Sequence, residues 1–572
     1  MEKTTLENFN RWMNSPVVSV EDKEILNEMD DKTKDEAFFK NIEFGTAGIR
    51  GIIGPGTNRM NYFTVRKTTI GLGIYLHQFH QHADSKGVAI SHDNRHMSRE
   101  FALEASKILN QMGIKTYIFN SLRPTPELSY AVRYMHCDGG IMITASHNPK
   151  EYNGYKIYDE SGCQLVPMKI DPLIKIINSL PNELEVTIPE GKSEGKEVVL
   201  GKEVDDTYVK LCESVQENPN LDKKGFKIVY TPNHGTSYVN AMRVFKDCGY
   251  EVYPVEKQCA PDPDFSGTLS PNPEDAKSFI EPIKLATKID ADLICMTDPD
   301  GDRVGLACKV AKGQYVCLTG NESAAILMDY LFSERKAKGT LSKNGVMFNT
   351  VVTSELGKQV ANAYGIKVEQ FLTGFKFIGD RINYYEKQNG PVYEFGYEES
   401  YGCLPKTFVR DKDGIQAILL YCEMALFYHL KGINLVQAYE NLGKRFGYYK
   451  NKVYNIALEG SKGAKKMEEI MNKVINTPFK EINDQKVTKF EDYFNLKRHY
   501  FISNQTEDIV GLPVGDLVKY YFADGSNICI RPSGTEPKIK FYIDVLTKDP
   551  STAEKKCDEY YRVLLKELNV NN

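Results

Sequence analysis

The sequence predicts an α/β chain, three successive αβ units followed by a smaller C-terminal α+β unit. Three observations carry that reading. Short apolar runs alternate with amphipathic stretches in strand, helix, strand order from about residue 88 onward, the pattern of a sheet covered by helices. At 572 residues the chain is too long for one core, because domains usually hold about 100 to 200 residues. After about Tyr449 the pattern changes to hairpin signals. The expected domains are 1–200, 201–312, 313–448 and 449–572.

Bulk composition excludes several classes of function. With 72 basic and 77 acidic side chains the formal net charge is -5, and no Lys or Arg run forms a dominant basic patch, so nucleic acid is not an expected partner. The start, Met1-Glu2-Lys3-Thr4-Thr5, leads into charged sequence without the apolar segment of a secretory signal. No run approaches the roughly 18 to 20 apolar residues needed to span a bilayer. A cytoplasmic location without membrane contact is expected. The 12 cysteines are scattered without a Cys-x-x-Cys, which argues against a zinc site or redox pair and for reduced, mostly buried thiols.

Taken in order, Phe44-Gly45-Thr46-Ala47-Gly48-Ile49-Arg50-Gly51 reads as a glycine-dense loop. There Arg50 can present its planar fork to a phosphate or carboxylate. From Thr64 to about Gln81, Val65, Leu72, Tyr75, Leu76 and Phe79 recur at helical spacing. His77, His80 and His82 are read as its solvated end. The strand Val88-Ala89-Ile90 precedes a helix with Ser98 as N-cap, an apolar face of Phe101, Ala105, Ile108, Leu109 and Met112, and Gly113 as its stop. Thr116 to Phe119 and Gly140 to Ile143 are further strands, giving a mostly parallel sheet. Ligands gather at the carboxyl ends of such strands. Arg95 and Ser146 both fall there.

Thr144-Ala145-Ser146-His147-Asn148-Pro149 ends the strand abruptly. Alone, it is a capped turn; with its hydroxyl exposed at the strand tip, Ser146 is a nucleophile able to carry a transferred group. Lys156, ten residues on, is either a cation or proton acceptor returning to that loop or a surface lysine. The strand Leu293 to Met296 runs into Thr297-Asp298-Pro299-Asp300-Gly301-Asp302-Arg303. Three carboxylates at alternate positions repel one another unless a cation sits among them. An EF-hand needs Glu at position twelve, where this chain has Lys309. Three protein oxygens leave open positions, which suits Mg²⁺ sharing a phosphate oxygen.

Helices from Glu322 to about Lys338 and from Ser354 to Tyr364 flank a strand at Val346 to Phe348. Thr373-Gly374-Phe375-Lys376 and Phe395-Gly396-Tyr397-Glu398-Glu399-Ser400-Tyr401-Gly402 follow. Glu398 and Ser400 together can take hydrogen bonds from adjacent sugar hydroxyls. The charged run Arg410-Asp411-Lys412-Asp413-Gly414 comes next. Val518 to Phe522 and Asn527 to Ile530 flank an Asp524-Gly525 hairpin turn. Arg531-Pro532-Ser533-Gly534-Thr535 forms a compact phosphate cradle. A strand from Ile539 to Val545 and a helix with the capping box Ser551-x-x-Glu554 close the chain.

An acceptor serine, a three-Asp loop, a hydroxyl-reading loop and a phosphate cradle together resemble the α-D-phosphohexomutase family over nearly the whole length. The resemblance implies a heart-shaped arrangement of four domains around one cleft. It makes Ser146 the phosphorylated serine. Asp298, Asp300 and Asp302 become the Mg²⁺ ligands, with a phosphate oxygen on Ser146 as another. Arg303 is the basic residue beside them, and Arg50, His147 and Lys156 lie near the transferred group, Lys156 as general base. Thr373, Gly374, Lys376, Glu398, Ser400 and Lys412 bind the sugar phosphate, while Arg531, Ser533, Gly534 and Thr535 hold the phosphate that does not react.

The partners implied are hexose monophosphates, with glucose 1,6-bisphosphate as intermediate and activator, and the chain is expected to be a monomer or weak homo-oligomer. The intermediate must turn over between two transfers, so movement of the last domain is expected. Glu-Glu-Ser-Tyr-Gly resembles members acting on glucose 1- and 6-phosphates. The alternatives are mannose or pentose phosphates as main substrate, or a sugar-phosphate sensor without catalysis.

Overall fold

The computed structural model describes residues 3–45, 48–80, 82–191, 194–458, 460–533 and 538–570. These fall into two compact units, Met1–Gly320 with Gly374–Asn434, and Asn321–Thr373 with Leu435–Asn572. Residues 313–448 contribute to both.

The first unit begins with three short helices, Lys3–Asn14, Val20–Glu28 and Asp31–Phe38. Ser19 and Asp30 cap the second and third by accepting backbone N–H bonds. Trp12 is wholly buried among them, edge-on to Phe38 and Phe63, and its indole N–H donates to Glu183 at 2.8 Å.

A seven-stranded sheet follows, ordered Phe44–Gly45, Gly48–Ile52, Tyr152–Asp159, Gly139–Ile143, Val88–His92, Thr116–Phe119 and Glu197–Leu200. The last four run parallel, and the first three are antiparallel additions. The sheet is therefore mixed. Ile90, Ile141, Ile143 and Tyr155 of its strands pack against Val65, Leu72, Phe101 and Leu109 of the helices Tyr62–Phe79 and Ser98–Gln111 in one core.

Two sequence expectations need correction here. The glycine-dense stretch is an edge hairpin, Phe44 opposite Ile49, and Arg50 stands on a strand opposite Gly154. Ser98 is not an N-cap: Met97, at φ 64°, takes that place without a side-chain bond, and the Ser98 hydroxyl instead donates to Asp93 at 2.6 Å.

A second sheet has the order Gln314–Leu318, Val304–Ala311, Leu293–Thr297, Lys227–Thr231 and Glu251–Pro254, its last three strands parallel. Val392–Tyr397 and Cys403–Leu404 pair antiparallel. The helix Gly414–Leu430 is buried on nearly every face and starts from Asp413, which accepts from the N–H groups of Ile415 and Gln416. All twelve cysteines are free thiols, ten of them buried. Among the described residues no helix is long and apolar enough to cross a membrane.

In the second unit Gly345–Thr350 and Lys367–Phe371 run parallel. The C-terminal sheet is antiparallel throughout, in the order Tyr448–Ala457, Lys538–Thr547, Asn527–Pro532, Val518–Phe522, Gln485–Asp492, Lys497–Tyr500 and Gln505–Asp508. The expected hairpin is present, Val518 opposite Ile530. The final helix, Pro550–Glu567, is capped by Asp549 rather than through a Ser551 box, Asp549 accepting from the Ser551 N–H.

Candidate active site

The loop after Gly139–Ile143 and the loop after Leu293–Thr297 meet in the first unit. Ser146 is 1% exposed. Its hydroxyl donates to Asp298 Oδ2 at 2.9 Å and lies 3.1 Å from His147 Nδ1. Its backbone is left-handed, φ 53°, a conformation costing an L-residue roughly 1 to 2 kcal/mol. That cost is met by packing and hydrogen bonds around the loop, beginning with the Ser146 N–H on Thr144 Oγ1 at 2.8 Å.

Asp298, Asp300 and Asp302 are all buried, and one carboxylate oxygen from each falls within 4.8 Å of the others. At an effective dielectric of about 20, like charges roughly 4 to 5 Å apart repel by about 3 to 4 kcal/mol. The loop is folded tightly enough to bring them there because Gly301 takes φ 72° with Ser237 and Pro124 against it. Burial, then the neighbouring Asp300 and Asp302, raise Asp298 well above the carboxylate range. Burial also pushes Asp300 upward, but Lys156, the bond with Asp298 and the charge of Arg50 outweigh it, and Asp300 stays ionised.

Two lysines offset part of this charge. Lys156, opposite Met142 on the neighbouring strand, donates to Asp300 Oδ2 at 2.8 Å. That contact brings Lys156 into the site rather than to the surface. Lys412 lies 3.0 Å from Asp302 Oδ2 and 3.1 Å from Asp411. Burial disfavours its charge, yet Asp302, Asp411 and Glu398 raise it above the ordinary lysine range. Asp300 Oδ1 and Asp302 Oδ1 remain buried without a hydrogen-bond donor. Uncommitted hard oxygens beside two engaged ones fit a small divalent cation.

The other expected residues distribute around this centre. Arg50 Nη1 donates to Asn148 Oδ1 at 3.0 Å, next to the serine. Arg303 is tied to Glu274 at 2.7 Å and stands 3.7 Å from Asp302; burial lowers it, and the acids, Glu274 first, raise it above the ordinary arginine range. Glu398 Oε1 accepts the Gly374 N–H at 2.8 Å, and Glu398 Oε2 is 3.8 Å from Lys412. One lysine thus spans the acid triad and the loop that carries Glu398. Ser400 is half-buried in the turn after Val392–Tyr397. Lys376 opens the helix Lys376–Gln388, and burial pulls it down to about 8.

In the second unit Arg531 stands opposite Lys540 near the end of its strand, and the Ser533 N–H donates to Lys538 O at 2.8 Å. Thr373 closes the segment Asn321–Thr373 of that unit. Gly534 and Thr535 lie outside the described residues.

Sequence reading missed two contributors. Thr125 binds Asp300 twice, N–H to backbone oxygen at 2.8 Å and hydroxyl to Oδ2 at 3.0 Å. Gly402 is needed because a side chain there would collide with the stem of Lys412. The first has no local signal, since it lies 175 residues away in sequence; the second was visible only as a glycine after Ser-Tyr.

Fold and site together define a multidomain α/β protein in which a buried hydroxyl faces a metal-competent acid triad. The chain belongs to the phosphoglucomutase/phosphomannomutase family, whose α/β/α domains I, II and III match residues 41–183, 206–312 and 319–446 and whose C-terminal domain matches 455–555. A phosphoglucomutase of Staphylococcus epidermidis is 36% identical over 526 residues, 91% of this chain and 94% of the relative. The open form of parafusin, a phosphoglucomutase from Paramecium, shares the fold with a TM-score of 0.65 at 19% identity, covering 93% of this chain and 96% of its own. An Aspergillus fumigatus N-acetylphosphoglucosamine mutase, crystallised with GlcNAc-6P and magnesium, aligns with a TM-score of 0.51 at 13% identity over 93% of this chain and 96% of its own.

Proposed function

We propose that the chain is a phosphoglucomutase, an isomerase that interconverts glucose 1-phosphate and glucose 6-phosphate through phosphorylated Ser146 and glucose 1,6-bisphosphate. One observation carries this reading: the Ser146 hydroxyl sits 2.9 Å from Asp298 in a cluster where two carboxylate oxygens remain uncommitted. A serine held only as a turn cap has no use for such surroundings. The family and the name of the Staphylococcus relative support the sugar.

In the proposed cycle the phosphoryl group on Ser146 passes in line to the free hydroxyl of the bound hexose monophosphate. The serine P–O bond breaks as the sugar P–O bond forms. In a loose transition state the attacking hydroxyl keeps its proton until late, so it leaves to a phosphoryl oxygen and no strong base is required. Lys156 and Arg50 steady the equatorial oxygens, and the proton given up by the sugar hydroxyl passes by way of that phosphoryl oxygen to Ser146 Oγ, beside His147 Nδ1, as the serine P–O bond breaks. Mg²⁺ held by Asp298, Asp300 and Asp302 would supply charge neutralisation at the transferring group. Glu398 and Ser400 read the sugar hydroxyls, with Gly374, Lys376 and Lys412 shaping that end. Arg531 and Ser533 are assigned to the phosphate that does not react.

Comparison of kcat/KM for glucose, mannose and ribose 1-phosphates, each with a trace of glucose 1,6-bisphosphate, tests the substrate. Glucose is expected to lead and mannose to follow. A preference for ribose would overturn the assignment.

A further inference from the structure

Arg95 follows the strand Val88–His92, and its side chain is completely buried. Its guanidinium holds four carbonyls of the loop that carries the reactive serine. Nη2 donates to Ser146 O at 2.7 Å and Asn148 O at 2.5 Å, and Nη1 to Pro149 O at 2.7 Å and Tyr152 O at 3.1 Å. Nε is left to Asp93 Oδ2, 3.3 Å away. Asp93 is itself fixed, its Oδ1 accepting the Arg95 N–H at 2.9 Å and the Ser98 hydroxyl at 2.6 Å.

A second element covers the guanidinium. The Phe265 ring lies 5.1 Å from its central carbon and is 5% exposed. The loop bearing that ring is pinned by Asp262, whose carboxylate accepts the N–H groups of Asp264 and Ser266. The Asp262 carbonyl accepts Asn94 Nδ2 at 2.8 Å.

This arrangement acts on a strained residue. Ser146 is left-handed at φ 53°, a conformation an L-side chain keeps only when its surroundings hold it. Release of the Ser146 carbonyl lets the peptide relax toward negative φ and turns Oγ away from Asp298. A planar fork spans two pairs of carbonyls at once, which an ammonium cannot do. The four Nη N–H bonds all go to these carbonyls, and Nε makes only the 3.3 Å ion-pair contact with Asp93 and is buried, so Arg95 presents no donor to substrate.

We propose that Arg95, braced by Phe265, is a positioning residue that sets the orientation of the phosphoryl-carrying hydroxyl. The inference rests on the assignment of Ser146 as the carrier. The test is the single-turnover rate at which glucose 1,6-bisphosphate phosphorylates the protein, followed by intact mass in the parent, Arg95→Lys, Arg95→Ala and Phe265→Leu, together with steady-state kcat and KM.

Arg95→Lys is expected to lower both the phosphorylation rate and kcat roughly 100-fold while KM stays within about twofold, the signature of lost orientation rather than lost binding. Guanidinium ion is expected to restore part of the rate in Arg95→Ala. Phe265→Leu, which keeps an apolar cover and guards against a lysine variant that does not fold, is expected to lose roughly tenfold on the same two rates. Parental phosphorylation rates in a folded Arg95→Lys or Phe265→Leu protein overturn the inference and leave the carrier assignment standing. A parent that takes no phosphoryl group overturns both.

Discussion

Lys156 and Lys412 in the first unit, and Lys519 and Lys489 in the second, are each buried or half-buried beside carboxylates, but the two clusters close differently. In the second, Glu491 accepts from Arg498 at 2.7 Å, Lys489 at 3.2 Å, Tyr493 at 2.9 Å and Tyr521 at 3.0 Å. Burial pushes that carboxyl up, the lysines and Arg498 pull it further down, and it settles at about 2. Lys519 donates to Val351 O at 2.9 Å and Glu355 at 3.0 Å. Asp544 has an oxygen without a donor, but it is a single carboxyl that burial raises to about 6. In the first unit three carboxylates crowd together and two of their oxygens are uncommitted. The second cluster satisfies its own charge, whereas the first crowds three carboxylates and keeps two oxygens able to take up a cation.

The largest effect that would sharpen this contrast is at Asp300. Asp300→Asn is expected to lower kcat roughly 1000-fold, the scale of removing charge stabilisation from a transition state. Millimolar magnesium should raise the Tm of the parent but not of this variant, since a cation bound only by the folded state stabilises it. A parent whose Tm ignores magnesium would break the distinction.

Next comes the closed cluster. Lys519→Met removes the buried donor to Glu355 and to Val351 O and leaves Glu355 only Lys358 at 3.7 Å, an expected cost of about 3 kcal/mol, the low end for a broken buried pair. Urea unfolding should show that loss, while kcat per folded molecule stays near the parental value. A stable protein with damaged kcat would contradict the structural assignment of the second cluster.

A smaller effect is expected at the seam between the acid triad and the loop proposed to read the sugar. Gly402→Ala forces the Lys412 stem aside, and KM for glucose 1-phosphate should rise about tenfold with a lesser change in kcat, as for lost substrate positioning. An unchanged KM would detach Lys412 from the sugar.

The smallest concerns pH. Burial lowers Lys376 to about 8, so this lysine is cationic below that pH and neutral above it. KM should rise severalfold as pH passes upward through about 8, and Lys376→Met should abolish that limb, measured as log(kcat/KM) against pH. A limb that persists in the variant assigns it elsewhere.

Legibility in the sequence followed locality. Asp298, Asp300 and Asp302 were readable because one turn brings i, i+2 and i+4 together, and Ser146 because an apolar strand stops just before it. Ser98 and Ser551 were misread as caps because a hydroxyl before a helical run is only a local signal. In the fold Ser98 is claimed by Asp93, and Asp549 caps the last helix ahead of Ser551. Arg50 was read as a loop residue because the glycines on either side of it hide the five-residue strand Gly48–Ile52 on which it stands. Thr125, and the four carbonyls held by Arg95, depend on contacts across 51 to 175 residues of chain, which no spacing rule reports.

The decisive measurement is the intact mass of the parent and of Ser146→Ala before and after incubation with glucose 1,6-bisphosphate, with peptide mapping of any added phosphate. A gain of one phosphoryl group on Ser146 in the parent, absent from the variant and accompanied by loss of glucose phosphate interconversion, is the expected result. An alanine variant that interconverts the two glucose phosphates at the parental rate would contradict the account.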